Sequence, residues 1–101
     1  MILEERERFE REYGCTETEW VAWMPKAAGG CALAPAGPQA LRVDLGPGQQ
    51  LQLTWRVLPP RVIALMRLPR LAVSFSFEGT ALDARRAFLR HFDLCLQRGG
   101  G

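Results

Sequence analysis

Hydrophobic and polar residues alternate in the central third of the chain with a period of two, which is typical of half-buried β-strands. The alternation covers residues 41–45, pauses at the turn residues 46–48, and resumes over residues 51–57. Two alternating segments joined by a Gly-Pro-Gly turn predict an antiparallel β-hairpin. The same period returns over residues 71–77 and ends at Glu78-Gly79, which predicts a further strand.

Residues 61–67 do not alternate, because hydrophobic side chains occur on every side of the segment. Periodicity therefore cannot separate a buried strand from a short buried helix. The β-branched residues at its start favour a strand, whereas Pro60 would suit the first turn of a helix. We predict a strand over 61–67, broken from the preceding strand by Pro59-Pro60 and followed by a bend or bulge at residues 68–70.

The C-terminal segment, residues 81–97, has the period of an amphipathic α-helix. One face of the helical wheel is hydrophobic: Ala81, Leu82, Ala84, Phe88, Leu89, Phe92, Cys95 and Leu96. Such a face matches what a sheet of Leu, Val and Phe side chains needs to bury. The pattern predicts a helix that covers the central sheet.

Two further helices are predicted near the N-terminus. Residues 2–13 place Ile2, Phe9 and Tyr13 on one narrow helical stripe. Thr16 and Glu19 have the spacing of a capping box, so a second helix should begin there and end before Pro25. Residues 25–39 are rich in Gly and Pro and are predicted to form a loop.

These elements together predict a small α+β protein with a single domain over residues 1–101. Residues 1–24 form an N-terminal helical pair, and residues 25–39 form the Gly/Pro loop. Residues 40–98 form a three- to four-stranded antiparallel meander covered by the C-terminal amphipathic helix, and residues 99–101 form a glycine tail.

Charge is distributed unevenly along the chain. Residues 1–19 hold seven Glu and three Arg, whereas residues 20–101 hold ten basic and four acidic residues. The acidic segment can lie against the basic remainder, or the basic remainder can bind an anionic partner. Twelve of the thirteen basic residues are Arg, amid abundant Ala, Gly, Pro and Leu. That bias indicates a GC-rich genome, and we expect a bacterial source.

The cysteines and the single histidine give little support for a metal site. Cys15, Cys31 and Cys95 are odd in number and form no C-x-x-C pair, although His91 lies one helical turn from Cys95. We expect no metal and no cofactor. The N-terminus lacks the hydrophobic region of a signal peptide, and no hydrophobic run is long enough to span a membrane. A reducing cytoplasm, without membrane attachment, is therefore the expected location.

No catalytic motif is recognisable in the chain. There is one histidine, no nucleophile motif, and no glycine-rich phosphate loop followed by Lys and Ser or Thr. We therefore expect a non-catalytic accessory or adaptor protein that binds another protein. Trp20, Trp23 and Met24 are the candidate contact residues, because Trp and Met are favoured at protein interfaces. The alternative is that the tryptophans pack onto the sheet.

A second hypothesis is nucleic-acid binding by Arg56, Arg61, Arg67 and Arg70, which lie in a stretch without acidic residues. Trp55, Phe75 and Phe77 could supply stacking surfaces for single-stranded nucleic acid, or they could belong to the core.

A third hypothesis concerns the C-terminal Gly100-Gly101, which resembles the end of ubiquitin-like and sulfur-carrier proteins. That resemblance implies a carrier that is modified at the terminal carboxylate of Gly101. A homodimer is also possible if the sheet has an exposed edge strand.

Overall fold

The computed structural model describes residues 6–97 of the protein. The elements in chain order are β1 (Arg8–Tyr13), α1 (Glu17–Ala27), β2 (Leu33–Gly37), β3 (Ala40–Gly46), β4 (Gln49–Ile63), β5 (Met66–Glu78) and α2 (Leu82–Gln97). The α+β class and the single antiparallel sheet agree with the sequence prediction.

All five strands form one antiparallel sheet in the order β1-β5-β4-β3-β2. Strands β2 to β5 are a meander, in which each strand pairs with the next along the chain. Strand β1 pairs with β5 at the opposite edge, so α1 carries the chain from one edge of the sheet to the other. The sheet therefore has one or two strands more than predicted.

The first predicted helix is wrong, because residues 8–13 form the edge strand β1. The segment RFEREY also fits a period of two, because Phe9 and Tyr13 lie on one side of the strand and Arg8, Glu10 and Glu12 on the other. Phe9 is the side chain that packs into the core of the sheet. Its ring stacks on Phe75 of the neighbouring strand, with centroids 4.7 Å apart, and only 8% of it is exposed. The interleaved charges hide this alternation from a reading that uses hydrophobicity alone.

The capping box at the start of α1 is confirmed. The Thr16 hydroxyl accepts a hydrogen bond from the Glu19 N–H, and the Glu19 carboxylate accepts one from the Thr16 N–H. The helix does not end before Pro25, however, but continues to Ala27. Met24 and Ala27 on either side of the proline are buried, so packing offsets the backbone hydrogen bond that proline cannot donate. The predicted loop over residues 25–39 thus contains the end of α1 and all of β2.

The predicted hairpin is present as β3 and β4, but β4 is much longer than the alternating segment. Pro59-Pro60 does not break it and instead coincides with a shift in the β4–β5 register between Leu58 and Arg61. Strand β3 begins at Ala40, opposite Thr54, and does not extend alongside the prolines. The N–H groups that the two prolines lack are therefore not needed for pairing with β3. Residues 61–67 are strand, as favoured, but a turn at Ala64 and Leu65 divides them between β4 and β5.

The core lies between one face of the sheet and the two helices. We call this the helix face and the other the open face. Phe92 of α2 is fully buried and packs edge-on against Phe75 of the sheet and Trp20 of α1, with centroids 5.6 and 5.9 Å away. The predicted covering of the sheet by the C-terminal helix is therefore confirmed. Each such side chain contributes roughly 1.5–3 kcal/mol when fully buried.

Candidate functional site

Strands β4 and β5 extend beyond the rest of the sheet as a two-stranded projection. The neighbouring strands do not extend as far. On one side the last β3 pair is Ala40 with Thr54, and on the other the last β1 pair is Tyr13 with Leu71. Residues 57–70, which we call the arm, therefore have no partner strand outside the β4–β5 hairpin. An isolated two-stranded ribbon has no sheet neighbours to bury its side chains, so the arm exposes both of its faces.

The arm collects most of the exposed hydrophobic surface of the described residues. Eight large hydrophobic side chains are exposed among the described residues. Six of them lie in the arm: Val57, Val62, Ile63, Leu65, Met66 and Leu68. Leu65 at the turn is 99% exposed. Isolated exposed hydrophobic residues are ordinary, but a contiguous cluster marks a binding surface. This is the strongest candidate functional site in the structure.

The register of the arm assigns its side chains to faces, because cross-strand partners point to the same side and successive residues alternate. Arg61 pairs with Leu68 and Ile63 pairs with Met66, and these pairs extend the open face. Val62 pairs with Arg67 on the opposite side. Both faces of the arm therefore combine hydrophobic side chains with arginine.

The predicted arginine cluster is only partly assembled by the fold. Arg56 lies 3.6 Å from a carboxylate oxygen of Glu10, while Arg70 and Arg61 lie 3.0 and 3.9 Å from those of Glu12. The acidic N-terminal segment thus lies against the basic one through β1. Exposed ion pairs of this kind contribute about 0–1 kcal/mol each, so they neutralise charge more than they stabilise the fold.

Arg67 is separated from the other three arginines. It belongs to the opposite face of the arm, and no described carboxylate lies within ion-pair distance of it. The four arginines therefore do not converge on one anion site.

The aromatic residues considered for base stacking all lie on the helix face. Phe75 and Phe77 are 1% and 2% exposed, and Trp55 is 8% exposed. The indole N–H of Trp55 donates a 2.7 Å hydrogen bond to Glu17, and Gln39 donates a second to the same carboxylate oxygen. These two hydrogen bonds hold the pKa of Glu17 below its usual value. Because its ring belongs to the core and its N–H is engaged, Trp55 offers no free surface for a nucleobase.

The structure places the predicted protein-contact residues largely inside the core. Trp20 is fully buried between Tyr13, Trp55 and Phe92, and Met24 is 2% exposed. Trp23 is half-buried against the same cluster. Among the described residues, the Trp20 indole N–H has no hydrogen-bond partner. Trp20 and Met24 therefore present no surface to another molecule in this conformation.

His91 and Cys95 lie where α2 meets the C-terminal end of α1. The Nε2 atom of His91 lies 3.1 Å from the Lys26 carbonyl oxygen and 3.5 Å from the Cys95 sulfur. Both side chains thus lie against the Lys26 carbonyl at the end of α1, which also accepts a hydrogen bond from the Gly29 N–H. Within residues 6–97, no three His, Cys, Asp or Glu side chains are arranged to hold a metal ion. This pair links α2 to the end of α1.

A shallow polar groove of about 840 Å³ lies at the other end of β4, by the β3–β4 turn. Its charged and amide side chains come from Arg42, Asp44, Gln49, Gln50 and Glu78. The Gln50 amide donates a 2.9 Å hydrogen bond to Glu78, and Asp44 accepts one from the Gly46 N–H. Gln50 and Glu78 thus pair with each other, and among the described residues no hydroxyl, thiol, lysine or histidine side chain lines the groove.

Gly100 and Gly101, the residues of the carrier hypothesis, lie outside the described part of the chain. Over the residues that the structure describes, no helix combines the length and hydrophobicity needed to cross a bilayer.

No protein-family model matches the chain, and comparison with curated proteins finds no similar sequence. The arm was not singled out by sequence reasoning as a hydrophobic binding site. The available signal was the hydrophobic run 61–67, which has arginines at both ends and prolines on both sides. A run without a polar side is typical of a buried strand, but it equally suits a ribbon that is exposed until a partner covers it.

Proposed function

We propose that this protein is a non-catalytic accessory or adaptor protein that binds another protein through the arm. The observation that carries the proposal is the concentration of exposed Val, Ile, Leu and Met side chains in residues 57–70. Their exposure is unfavourable in the isolated protein, since burying each large hydrophobic side chain is worth roughly 1.5–3 kcal/mol. A partner that covers the arm recovers that free energy.

The arm also indicates the chemistry of the partner. No Asp or Glu occurs between Asp44 and Glu78, whereas Arg61, Arg67 and Arg70 lie in or at the base of the arm. A complementary protein surface therefore has an apolar cleft for Ile63, Leu65 and Met66 and acidic side chains around it. In such an interface the central hydrophobic residues supply most of the affinity, and the charges at the rim direct association.

The contact surface proposed here replaces the one expected from Trp20, Trp23 and Met24. Those residues support the binding role indirectly, because they anchor α1 onto the sheet from which the arm projects. We further propose a cytoplasmic location, since three free cysteines suit a reducing compartment.

The test compares proteins captured from the source cell by the wild-type chain, by Leu65→Ser and by Leu94→Ser. Leu94 is a matched control, because it is an exposed leucine on α2, away from the arm. We expect Leu65→Ser to lose a defined protein that both wild type and Leu94→Ser retain. Purified binding partner should then bind the wild type at least tenfold more tightly than Leu65→Ser, since a hot-spot truncation costs about 2 kcal/mol or more. Equal capture by all three chains contradicts the proposal.

Nucleic-acid binding remains the alternative, and it is favoured by the absence of acidic residues from the arm. In the same purifications, nucleic acid that co-elutes with wild type and is lost from Arg67→Gln would replace protein binding as the function. A covalent adduct at Gly101 in the same material would support the carrier hypothesis instead.

A further inference from the structure

Strand β1 is one edge of the sheet, and its outward side is available for pairing within the described residues. The Phe77 N–H donates a 2.8 Å hydrogen bond to the Glu7 carbonyl, so Glu7 faces β5. Because an antiparallel ladder alternates, the backbone groups of Arg8, Glu10 and Glu12 point away from β5. These residues present a row of N–H and C=O groups that can accept another strand.

The sequence of this edge is self-complementary in charge. Residues 6–12 read Arg-Glu-Arg-Phe-Glu-Arg-Glu, with Phe9 at the centre. Reversing the segment about Phe9 exchanges every Arg for a Glu and every Glu for an Arg. An antiparallel copy of the same strand therefore meets opposite charges at every position when the two copies are centred on Phe9.

We propose that a second copy of this chain pairs with β1, antiparallel and centred on Phe9. Arg8 of each copy then lies opposite Glu10 of the other, and both residues have their backbone groups directed at the partner. Arg6 lies opposite Glu12 in the same way. The Phe9 residues face each other as a non-hydrogen-bonded pair, in which side chains approach most closely.

The charges select this register over its neighbours. Outward-facing residues can pair only with outward-facing residues, so the alternative registers differ by two residues. Centring the pair on Glu10 places Glu10 opposite Glu10, and centring it on Arg8 places Arg8 opposite Arg8. Like charges directly opposite are destabilising. Charged side chains on an edge strand usually prevent sheet extension. Here they leave one register over residues 6–12 in which no like charges lie directly opposite one another.

Arg8 and Glu10, the charged residues on either side of Phe9, are exposed enough to pair with a second copy while Glu10 keeps its contacts within its own chain. Glu10 accepts a 3.3 Å hydrogen bond from Ser74 and lies 3.6 Å from Arg56, yet 54% of its side chain is exposed. Arg8 is exposed. Arg11, in contrast, is engaged by Asp93 and Tyr13 on the helix face. The Arg8–Glu10 pairs therefore carry the charge selection, and each occurs twice in the symmetric dimer.

Such pairing joins two five-stranded sheets into one continuous sheet. The two-fold axis between antiparallel strands is perpendicular to the sheet, so the helices of both copies cover the same face. The arms project from opposite ends of the joined sheet, because each arm lies past the Tyr13 end of its own β1. The dimer inference does not depend on what the arm binds.

The test is sedimentation velocity of the purified chain over a range of concentrations, with two charge reversals and their combination. Wild type should show a reversible monomer–dimer equilibrium. Arg8→Glu and Glu10→Arg should each raise the dimer Kd at least about tenfold, because each places like charges opposite one another twice. The double variant Arg8→Glu/Glu10→Arg restores opposite charges and should recover the wild-type Kd to within about threefold.

An equimolar mixture of the two single variants gives the sharpest result. The Arg8→Glu chain is acidic at positions 8 and 10, and the Glu10→Arg chain is basic at both. In the mixed dimer these opposite charges face one another, so the mixture should associate although neither variant does alone. Arg90→Glu, a charge reversal of an exposed arginine on α2, should leave the Kd unchanged, and circular dichroism should show the same fold for every variant. A wild-type chain that stays monomeric at millimolar concentration overturns the proposal. So does a dimer whose Kd is indifferent to the charge reversals.

Discussion

The two halves of the β4–β5 hairpin share the same strands but have opposite surroundings. In the half that belongs to the sheet body, Leu51 and Leu53 pair with Phe77 and Phe75, and none of the four is more than 2% exposed. In the arm, Ile63 pairs with Met66, and both are more than half exposed. The chain places large hydrophobic residues in both halves, but the helices and flanking strands cover only one.

The difference shows that burial is a property of the neighbours rather than of the strand. Trp20 and Phe92 reach the sheet body from α1 and α2, whereas the arm lies past the ends of β1 and β3. Hydrophobic side chains in the body stabilise the fold, because they leave water when the protein folds. Those in the arm stay in water when the protein folds, so they contribute little to its stability, and we propose that they serve binding instead.

The largest predicted effect contrasts a core residue with a residue at the arm turn. Phe92→Ala should lower the free energy of unfolding by about 3–5 kcal/mol, because it removes a ring that Trp20 and Phe75 enclose and leaves a cavity. Leu65→Ala should change it by less than about 0.5 kcal/mol, because that side chain is almost wholly in water. Urea denaturation followed by tryptophan fluorescence measures both. Similar losses for the two variants would mean that the arm is part of the cooperative core.

A smaller effect contrasts two tight turns. Gly79 has φ +64, and a Cβ there would overlap the backbone carbonyl oxygen of Gly48. Gly79→Ala should therefore destabilise the protein by about 2 kcal/mol or more.

Ala64 at the turn of the arm is a non-glycine residue with φ 54. Ala64→Gly should relieve strain and raise stability by at most about 1 kcal/mol, since the flexibility of glycine offsets part of the gain. Thermal unfolding of both variants measures the two changes in stability. A loss of stability in Ala64→Gly as large as that in Gly79→Ala would contradict the comparison.

The last effect appears only at high pH and concerns Tyr13, where β1 ends and the arm begins. Burial beside Trp20 raises the pKa of Tyr13 to about 12. The folded state thus holds this proton more tightly than the unfolded state, whose tyrosine ionises near pH 10. Tyr13 therefore makes its full contribution to the free energy of unfolding below about pH 10, and this contribution is lost as the pH rises toward 12.

Tyr13 is the only tyrosine, so ultraviolet absorbance of tyrosinate reports it directly. We expect the titration midpoint to lie well above 10 in the folded protein and to return to about 10 in denaturant. The alkaline loss of stability should be smaller in Tyr13→Phe. A native midpoint near 10 would show that the ring is accessible to water.

Local patterns predicted the elements whose signals are strong over short distances. The alternation in residues 41–57 predicted β3 and the first part of β4, and the amphipathic period of 81–97 predicted α2. Thr16 and Glu19 gave the start of α1, because a capping box satisfies backbone groups within one turn of the chain. Each of these signals depends on residues close together in sequence.

The elements that were predicted wrongly depend on distant partners. Residues 8–13 have both a helical stripe and a strand alternation, and the edge of β5 with its Phe75 ring decides between them. Pro25 lies inside a helix because Met24 and Ala27 are buried, and Pro59-Pro60 lies inside a strand because β3 has already ended. For the same reason Trp20 and Met24, predicted to contact a partner, lie in the core.

Residue patterns along the chain were enough to predict the α+β class, the central hairpin, the covering helix and the charge division between the N-terminal segment and the rest. Which hydrophobic residues are buried and which are exposed, and the position of β1 at one edge of the described sheet, follow only from the tertiary structure. Secondary structure follows from periodicity and capping within a few residues. Exposure depends on where other elements end, and that is set by pairing between strands far apart in the chain.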